Sequence, residues 1–340
     1  MSLLCGLIQA KRPKKIVKAG AANDLVSRVV LCCAEMLRLP CQLHVVDSQE
    51  EYTLHTREVF DLRETMAQQK TAVCHFWEGR TLAGCADEIG GGIDLLILDV
   101  TDGMPGFLLN FISAFPGLSS DAAVALCSML PNELERNVLF QNIVASKFSQ
   151  HLKSDFDLKD CVPYKTTDSI SFFQLNPDVA LHFADLFAML GCQWSYIPKL
   201  SCLIEWETFV KAHYDTMSLK RYRQAVIAAD PGKEFLFTMV QSLLPMFPQI
   251  LLYGKGRRGE YFLRLSRLLD IPVRGFVVSD NRNSMESNKG LPVYSISQIP
   301  FSRNETFIFQ TAAYEEISQR LRESGYYWMK LPESFWVECC

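Results

Sequence analysis

No stretch of this chain reaches the roughly 18 apolar residues that a membrane-spanning helix requires, although 49% of its residues are hydrophobic. The apolar content therefore belongs to cores, and no membrane span is expected. An excess of positive charge is also missing. The formal net charge is −4, whereas proteins that bind nucleic acid ordinarily carry a strong basic surplus, so no nucleic-acid partner is expected. The basic cluster Lys11-Arg12-Pro13-Lys14-Lys15 is short, runs straight into a strand signal and reads as a solvated edge. Despite twelve cysteines there is no Cys-x-x-Cys pair. The doublets Cys32-Cys33 and Cys339-Cys340 have a spacing that suits neither a tetrahedral metal site nor an unstrained disulfide. No metal is expected, and with no secretory leader in evidence the reading is a soluble, cytoplasmic protein with reduced thiols. His-Glu-x-x-His and Gly-x-Ser-x-Gly spacings are absent too, which sets aside zinc peptidases and serine hydrolases. The histidines, among them His44, His75, His151, His182 and His213, read as core or surface residues.

What is present is a pattern of alternation. At 340 residues the chain is long enough for two domains at roughly 150 residues each. Strand and helix signals alternate through the first 130 residues, as in a parallel sheet covered on both faces. Strands are expected at 15–19, 42–47, 92–99 and 122–129, with helices at 24–37 and 106–115. The run Ile93-Asp94-Leu95-Leu96-Ile97-Leu98-Asp99 is the clearest, because a near-continuous apolar strand is what a central buried strand looks like. Ligands of such sheets collect at the carboxyl ends of the strands, which gathers Gly20, Asp47, Asp99 and Cys127 around one crevice. From 177 to 229 the pattern is helical, and Asp230-Pro231-Gly232-Lys233 reads as a break. The expected organisation is a first domain over 1–235 and a second over 236–340.

The second domain opens on Gln249-Ile250-Leu251-Leu252-Tyr253-Gly254-Lys255-Gly256-Arg257-Arg258-Gly259, an apolar strand passing through Gly-x-Gly-x-x-Gly into a helix pattern at 259–269. Strand and helix on either side are the context this motif needs. The first glycine serves the tight turn, the second lets a phosphate approach the backbone, and the third lets helix and strand pack closely. A further strand, 273–280, ends in Asp280, 21 residues beyond Gly259, where a ribose hydroxyl would be held. Two readings stay open: a nucleotide cradle, or a strand-to-helix turn that binds nothing. Arg257 and Arg258 either pair with phosphate or are surface charges.

The segment Lys14-Lys15-Ile16-Val17-Lys18-Ala19-Gly20-Ala21-Ala22-Asn23-Asp24 resembles the cofactor entry of class I S-adenosylmethionine-dependent methyltransferases, of a kind met in bacterial glycan clusters. The resemblance runs from about 8 to 229 and includes Glu88 to Asp99, Met104-Pro105-Gly106, Ser171-Phe172-Phe173-Gln174-Leu175 and Trp194-Ser195-Tyr196-Ile197-Pro198. It implies two Rossmann-like doubly wound α/β sheets, the first a class I methyltransferase fold with a helical extension. It also implies S-adenosylmethionine held by Gly20, Asp47 and Asp99, catalysis near Asp99 and Asp102, and methyl transfer to a sugar, sugar nucleotide or related small molecule. Asp47 would hold ribose hydroxyls, or cap the next segment; Asp99 and Asp102 would form an acidic pair, or a solvated turn. The chain departs from the family pattern in four places. Lys18 stands at the acid position, Asn23-Asp24 where glycines are expected, Asp102 in place of a histidine, and Cys127-Ser128 in place of a His-Asp pair. A cation near the sulfonium repels it, so an eroded, weakened cofactor site is expected.

The segment from Gln249 to Tyr327 resembles the Rossmann-like domain appended to sugar methyltransferases and nucleotide-sugar enzymes. It implies a second site at Gly254, Gly256, Gly259 and Asp280 for a nucleotide or nucleotide sugar. Two alternatives to methyl transfer follow: a non-catalytic nucleotide-binding protein using that site, and an NAD-dependent oxidoreductase, which ranks last for want of a recognisable catalytic acid-base pair. The oligomeric state is left open.

Overall fold

The structure is a computed structural model that describes residues 2–20, 24–47, 71–99, 104–127, 149–150, 171–175, 179–279, 287–312, 314–333 and 335–336. The chain divides into two compact units, Met1–Pro198 with Glu205–Tyr222, and Lys199–Ile204 with Arg223–Cys340.

Unit 1 is built on β1 (Lys15–Ala19), β2 (Cys41–Asp47), β3 (Ala72–Glu78), β4 (Ile93–Asp99), β5 (Leu118–Cys127), β6 (Ser149–Gln150) and β7 (Ser171–Leu175). Their order across the sheet is β3-β2-β1-β4-β5-β7-β6. β1 to β5 are parallel, and β7 runs antiparallel to both of its neighbours. The central strands β1 and β4 are covered on both faces; in β4 this gives the buried apolar run Leu95-Leu96-Ile97-Leu98, whereas the buried run of β1, Ile16-Val17-Lys18-Ala19, includes a lysine. On one face α1 (Ser2–Lys11) and α2 (Asp24–Met36) bring Leu4, Ile8, Val26 and Val30 onto Ile16, Leu43, Leu95 and Ile97. Each such fully buried side chain contributes on the order of 1.5–3 kcal/mol.

Two further helices of unit 1 are α3 (Leu82–Ile89) and α4 (Gly106–Ala114), the latter buried at every position. The strand expected at 122–129 begins earlier, at Leu118. Its polar opening hid it: Ser119 Oγ donates to Asp94 Oδ1 at 3.1 Å, so the Leu118-Ser119-Ser120-Asp121 stretch is paired without being apolar. The helical extension comprises α5 (Phe183–Met189), α6 (Leu200–His213) and α7 (Thr216–Ala229). Phe115, Phe183, Phe187 and Tyr214 meet edge to face with ring centroids 4.8–5.4 Å apart, a favourable arrangement for aromatic rings.

Unit 2, which also takes in residues 199–204 of α6 and 223–229 of α7, contains α8 (Pro231–Leu243), β8 (Gln249–Tyr253), α9 (Arg257–Leu268), β9 (Val273–Val278), β10 (Val293–Ser295), β11 (Thr306–Gln310), α10 (Glu315–Ser324) and β12 (Tyr327–Lys330). The sheet is parallel throughout, in the order β10-β9-β8-β11-β12. The chain therefore reverses its direction of winding between β8 and β11. Such a switch point is where open α/β sheets have their ligand crevice. The helix expected from 259 begins two residues earlier, because Gly256, with extended dihedrals (φ −79°, ψ −170°), serves as its cap.

Candidate functional site

The first crevice is positioned by register. Ala19 aligns with Val46 on one side and Leu98 on the other, so Gly20, Asp47 and Asp99 are each the next residue at the carboxyl edge. Cys127 aligns with Asp99, and Glu78 with Asp47. With strands about 4.8 Å apart, these positions form one row across five strands. Gly20 turns out of β1 at φ +109°, a conformation that L side chains avoid and glycine adopts freely. The structure thus brings Gly20, Asp47 and Asp99 together; Asp102 lies outside the described residues.

Lys18 is buried in this crevice, at 1% exposure. Its ammonium lies 3.5 Å from the Gly20 carbonyl, to which it donates, and it has further polar contacts. For S-adenosylmethionine the fit is mixed. A glycine turn and an acid at the end of the next strand suit an adenosine moiety, while a buried cation beside the turn opposes a sulfonium.

Other titratable groups near this sheet are accounted for by packing. His44 is 5% exposed, its ring stacks on His75 at 4.7 Å, and Trp77 Nε1 donates to its Nδ1 at 3.4 Å. Burial, then the charges of His75 and Lys15, push His44 down to about 4, so the imidazole is neutral at pH 7. Burial pushes the Cys74 and Cys85 thiols up to about 12, which removes them as nucleophiles. A cleft of about 180 Å³ beside Gly90, Gly91 and Ile93, with His213 Nε2 3.1 Å from Asp87 Oδ1 at its side, lies at the amino end of β4. That is the edge away from the strand tips where ligands of such sheets collect. Among the described residues no group of three His, Cys, Asp or Glu is placed to hold a metal ion.

The second crevice is more fully drawn. A pocket of about 420 Å³ sits at the carboxyl ends of β8 and β9 and against the start of α10. The three glycines of the motif have three distinct geometries. Gly254 turns at φ +111° against Thr311 Oγ1 and Ala312. Gly256 lines the pocket, and a Cβ there would meet nothing within 4 Å. A Cβ on Gly259 would lie 2.0 Å from the Gly254 carbonyl oxygen, so helix and turn touch through bare backbone.

The opposite wall is held by two buried side chains. Thr311 Oγ1 donates to the carbonyls of Tyr253 at 2.9 Å and Gly254 at 3.3 Å. Gln310 Nε2 donates to those of Ala312 and Tyr314, while its Oε1 accepts from Ser318 Oγ. At the floor the Tyr253 and Ser279 hydroxyls are 2.9 Å apart.

Of the two arginines after the loop, Arg258 is committed elsewhere. It grips Glu333 at 3.0 and 2.6 Å and stacks over Trp336; the hydrogen bonds from Arg258 hold the Glu333 carboxyl below its ordinary value. Asp280 lies outside the described residues. The lining residues that sequence reasoning missed are Tyr314, Glu316 and Arg320, because nothing in a local pattern says that α10 begins across the switch point from the glycine loop.

No family model matches the chain, and no curated protein does. Solved structures do match. A Staphylococcus aureus protein assigned to the caffeoyl-CoA O-methyltransferases is 16% identical over 42% of this chain, with a TM-score of 0.29; the match spans 59% of that protein's length. A TDP-rhamnose 3'-O-methyltransferase of calicheamicin biosynthesis is 11% identical over 51% of this chain and 77% of its own, with a TM-score of 0.36. The precorrin-6y C5,15-methyltransferase of Geobacter metallireducens is 11% identical over 50% of this chain and 87% of its own, with a TM-score of 0.33. At these values they carry no inference about residues or activity. The fold rests on the strand order: unit 1 carries a mixed, Rossmann-like α/β sheet and unit 2 a smaller, parallel Rossmann-like sheet.

Proposed function

We propose that this protein is an S-adenosylmethionine-dependent methyltransferase of weakened cofactor affinity, acting on a sugar, a sugar nucleotide or a related small molecule. The observation that carries the reading is the row of Gly20, Asp47 and Asp99 at the carboxyl edge of a sheet ordered β3-β2-β1-β4-β5-β7-β6. Gly20 provides a turn against which the amino-acid end of the cofactor rests, Asp47 accepts from the ribose hydroxyls, and Asp99 lies beside the reacting centre. The bound cofactor supplies an electrophilic methyl group on a sulfonium. The protein's own part is to hold the acceptor oxygen or carbon in line with that methyl and to exclude water. Lys18 works against the cofactor's positive charge and not against adenosylhomocysteine, which lacks the sulfonium.

Calorimetric titration tests this. Adenosylhomocysteine is expected to bind about tenfold more tightly than S-adenosylmethionine, the gap to narrow in Lys18→Met, and both to be lost in Gly20→Val, where a β-branched residue meets φ +109°. No binding of adenosylhomocysteine to the wild-type protein sinks the reading.

The second unit supports a nucleotide-type ligand, and the observation behind it is the pocket beside the open face of Gly256. Binding of UDP-glucose that disappears in Gly256→Val and persists in Gly20→Val is the expected result.

A further inference from the structure

The first two turns of α10 carry two acid-base opportunities of opposite outcome. Glu315 and Arg322 meet at 3.3 Å on one side of the helix. Glu316 and Arg320 are four residues apart with the acid first, the order in which helical ion pairs form most readily. Yet these two make no ion pair among the described residues, both are solvent-exposed, and both line the 420 Å³ pocket. Across the pocket from them stand Lys255, the open face of Gly256 and the hydroxyl of Ser279.

We infer that α10 is the specificity wall of this pocket and that it reads a phosphorylated sugar, Arg320 holding the phosphate and Glu316 the sugar hydroxyls. The inference rests on the reading of unit 2 as a ligand-binding unit and names the part of the ligand it recognises. A guanidinium offers a planar fork of donors matched to phosphate oxygens. A carboxylate accepts from two hydroxyls at once and has no donor, so it suits a diol and rejects an anion. Glu316 and Arg320 present an acceptor and a donor to the same pocket, and a ligand that carries both kinds of group fits between them. Pocket size points the same way: about 420 Å³ lies in the lower part of the roughly 300–1,000 Å³ range of ligand sites, ample for a sugar phosphate and short for a dinucleotide. Tyr314, 73% exposed at the start of the same helix, offers a ring face to the apolar side of a pyranose.

The test is titration of the full-length protein and of Arg320→Gln and Glu316→Gln with glucose 1-phosphate, inorganic phosphate, UDP-glucose and NAD. Both positions are exposed, so the variants are expected to melt like the wild type. Glucose 1-phosphate is expected to bind more tightly than inorganic phosphate. Arg320→Gln should weaken both by about tenfold or more, the size of a lost charge-assisted hydrogen bond. Glu316→Gln should weaken glucose 1-phosphate and leave inorganic phosphate unchanged, a split that a merely structural role does not produce. Unchanged affinities in Arg320→Gln overturn the inference. UDP-glucose binding that is lost in Gly256→Val but indifferent to Arg320 and Glu316 overturns it while leaving the nucleotide reading intact. Silence of every probe overturns both.

Discussion

Gly254, Gly256 and Gly259 are chemically identical and structurally unlike one another, and the difference has measurable consequences. A Cβ on Gly259 lands 2.0 Å from a backbone oxygen that no rotamer change can move. Gly259→Ala is therefore expected to destabilise unit 2 by about 3 kcal/mol, the upper range for an overpacked contact, read as a lowered urea midpoint. Gly256→Ala meets open space at an ordinary φ of −79°. Its stability should stay within about 0.5 kcal/mol of wild type, because lost cap preference and reduced unfolded-state entropy nearly offset each other. Equal destabilisation by the two substitutions would contradict this division of roles. The turn at Gly254 and the close packing at Gly259 were legible in sequence because the motif's spacing encodes them. The commitment of Arg258 to Glu333, 75 residues away, was not, since no local pattern announces a partner that far along the chain.

At the scale of elements, the break expected at Asp230-Pro231-Gly232-Lys233 falls between α7, which ends at Ala229, and α8, whose start it also forms. Asp230 accepts from the backbone N–H groups of Gly232 and Lys233 at the head of α8, with Pro231 in the first helical position, which is where proline is tolerated best. Lys233 is only 3% exposed and reaches Asp230 Oδ2 at 2.5 Å. Asp230→Ala removes a cap and the carboxylate that pairs with a buried ammonium, so a loss of roughly 3 kcal/mol is expected in equilibrium unfolding. Burial opposes ionisation of Asp230, but the hydrogen bond and charge of Lys233, with the two backbone donors, outweigh it and hold the carboxyl below its ordinary value. A depressed carboxyl contributes its stability above the unfolded value near 3.8 and loses it as pH falls through the lower folded value. The variant's deficit should therefore be full at pH 6 and shrink on acidification below about pH 4; a deficit that stays constant to pH 2.5 would contradict the assignment. Strands such as β4 and β8 were legible because burial on both faces demands continuous apolar runs. β3, with Ala-Val-Cys-His-Phe-Trp-Glu at the edge of its sheet and only Ala72 buried, carries no such signature.

For the molecule as a whole, the two sheets place their candidate crevices in separate units, each with its own core and its own strand tips. A ligand that binds only the native form of a unit stabilises it by RT ln(1 + [L]/Kd), about 2.7 kcal/mol at a hundredfold excess over Kd. Proteins of more than one domain commonly unfold in more than one step. Scanning calorimetry of the full chain should therefore resolve two transitions, of which adenosylhomocysteine raises one and UDP-glucose the other. Gly20→Val is expected to abolish the first shift and leave the second, and Arg320→Gln to leave the first and reduce the second by about half at that excess. If either ligand raises both transitions together, or a single cooperative transition responds to both, the two sites share one folding unit.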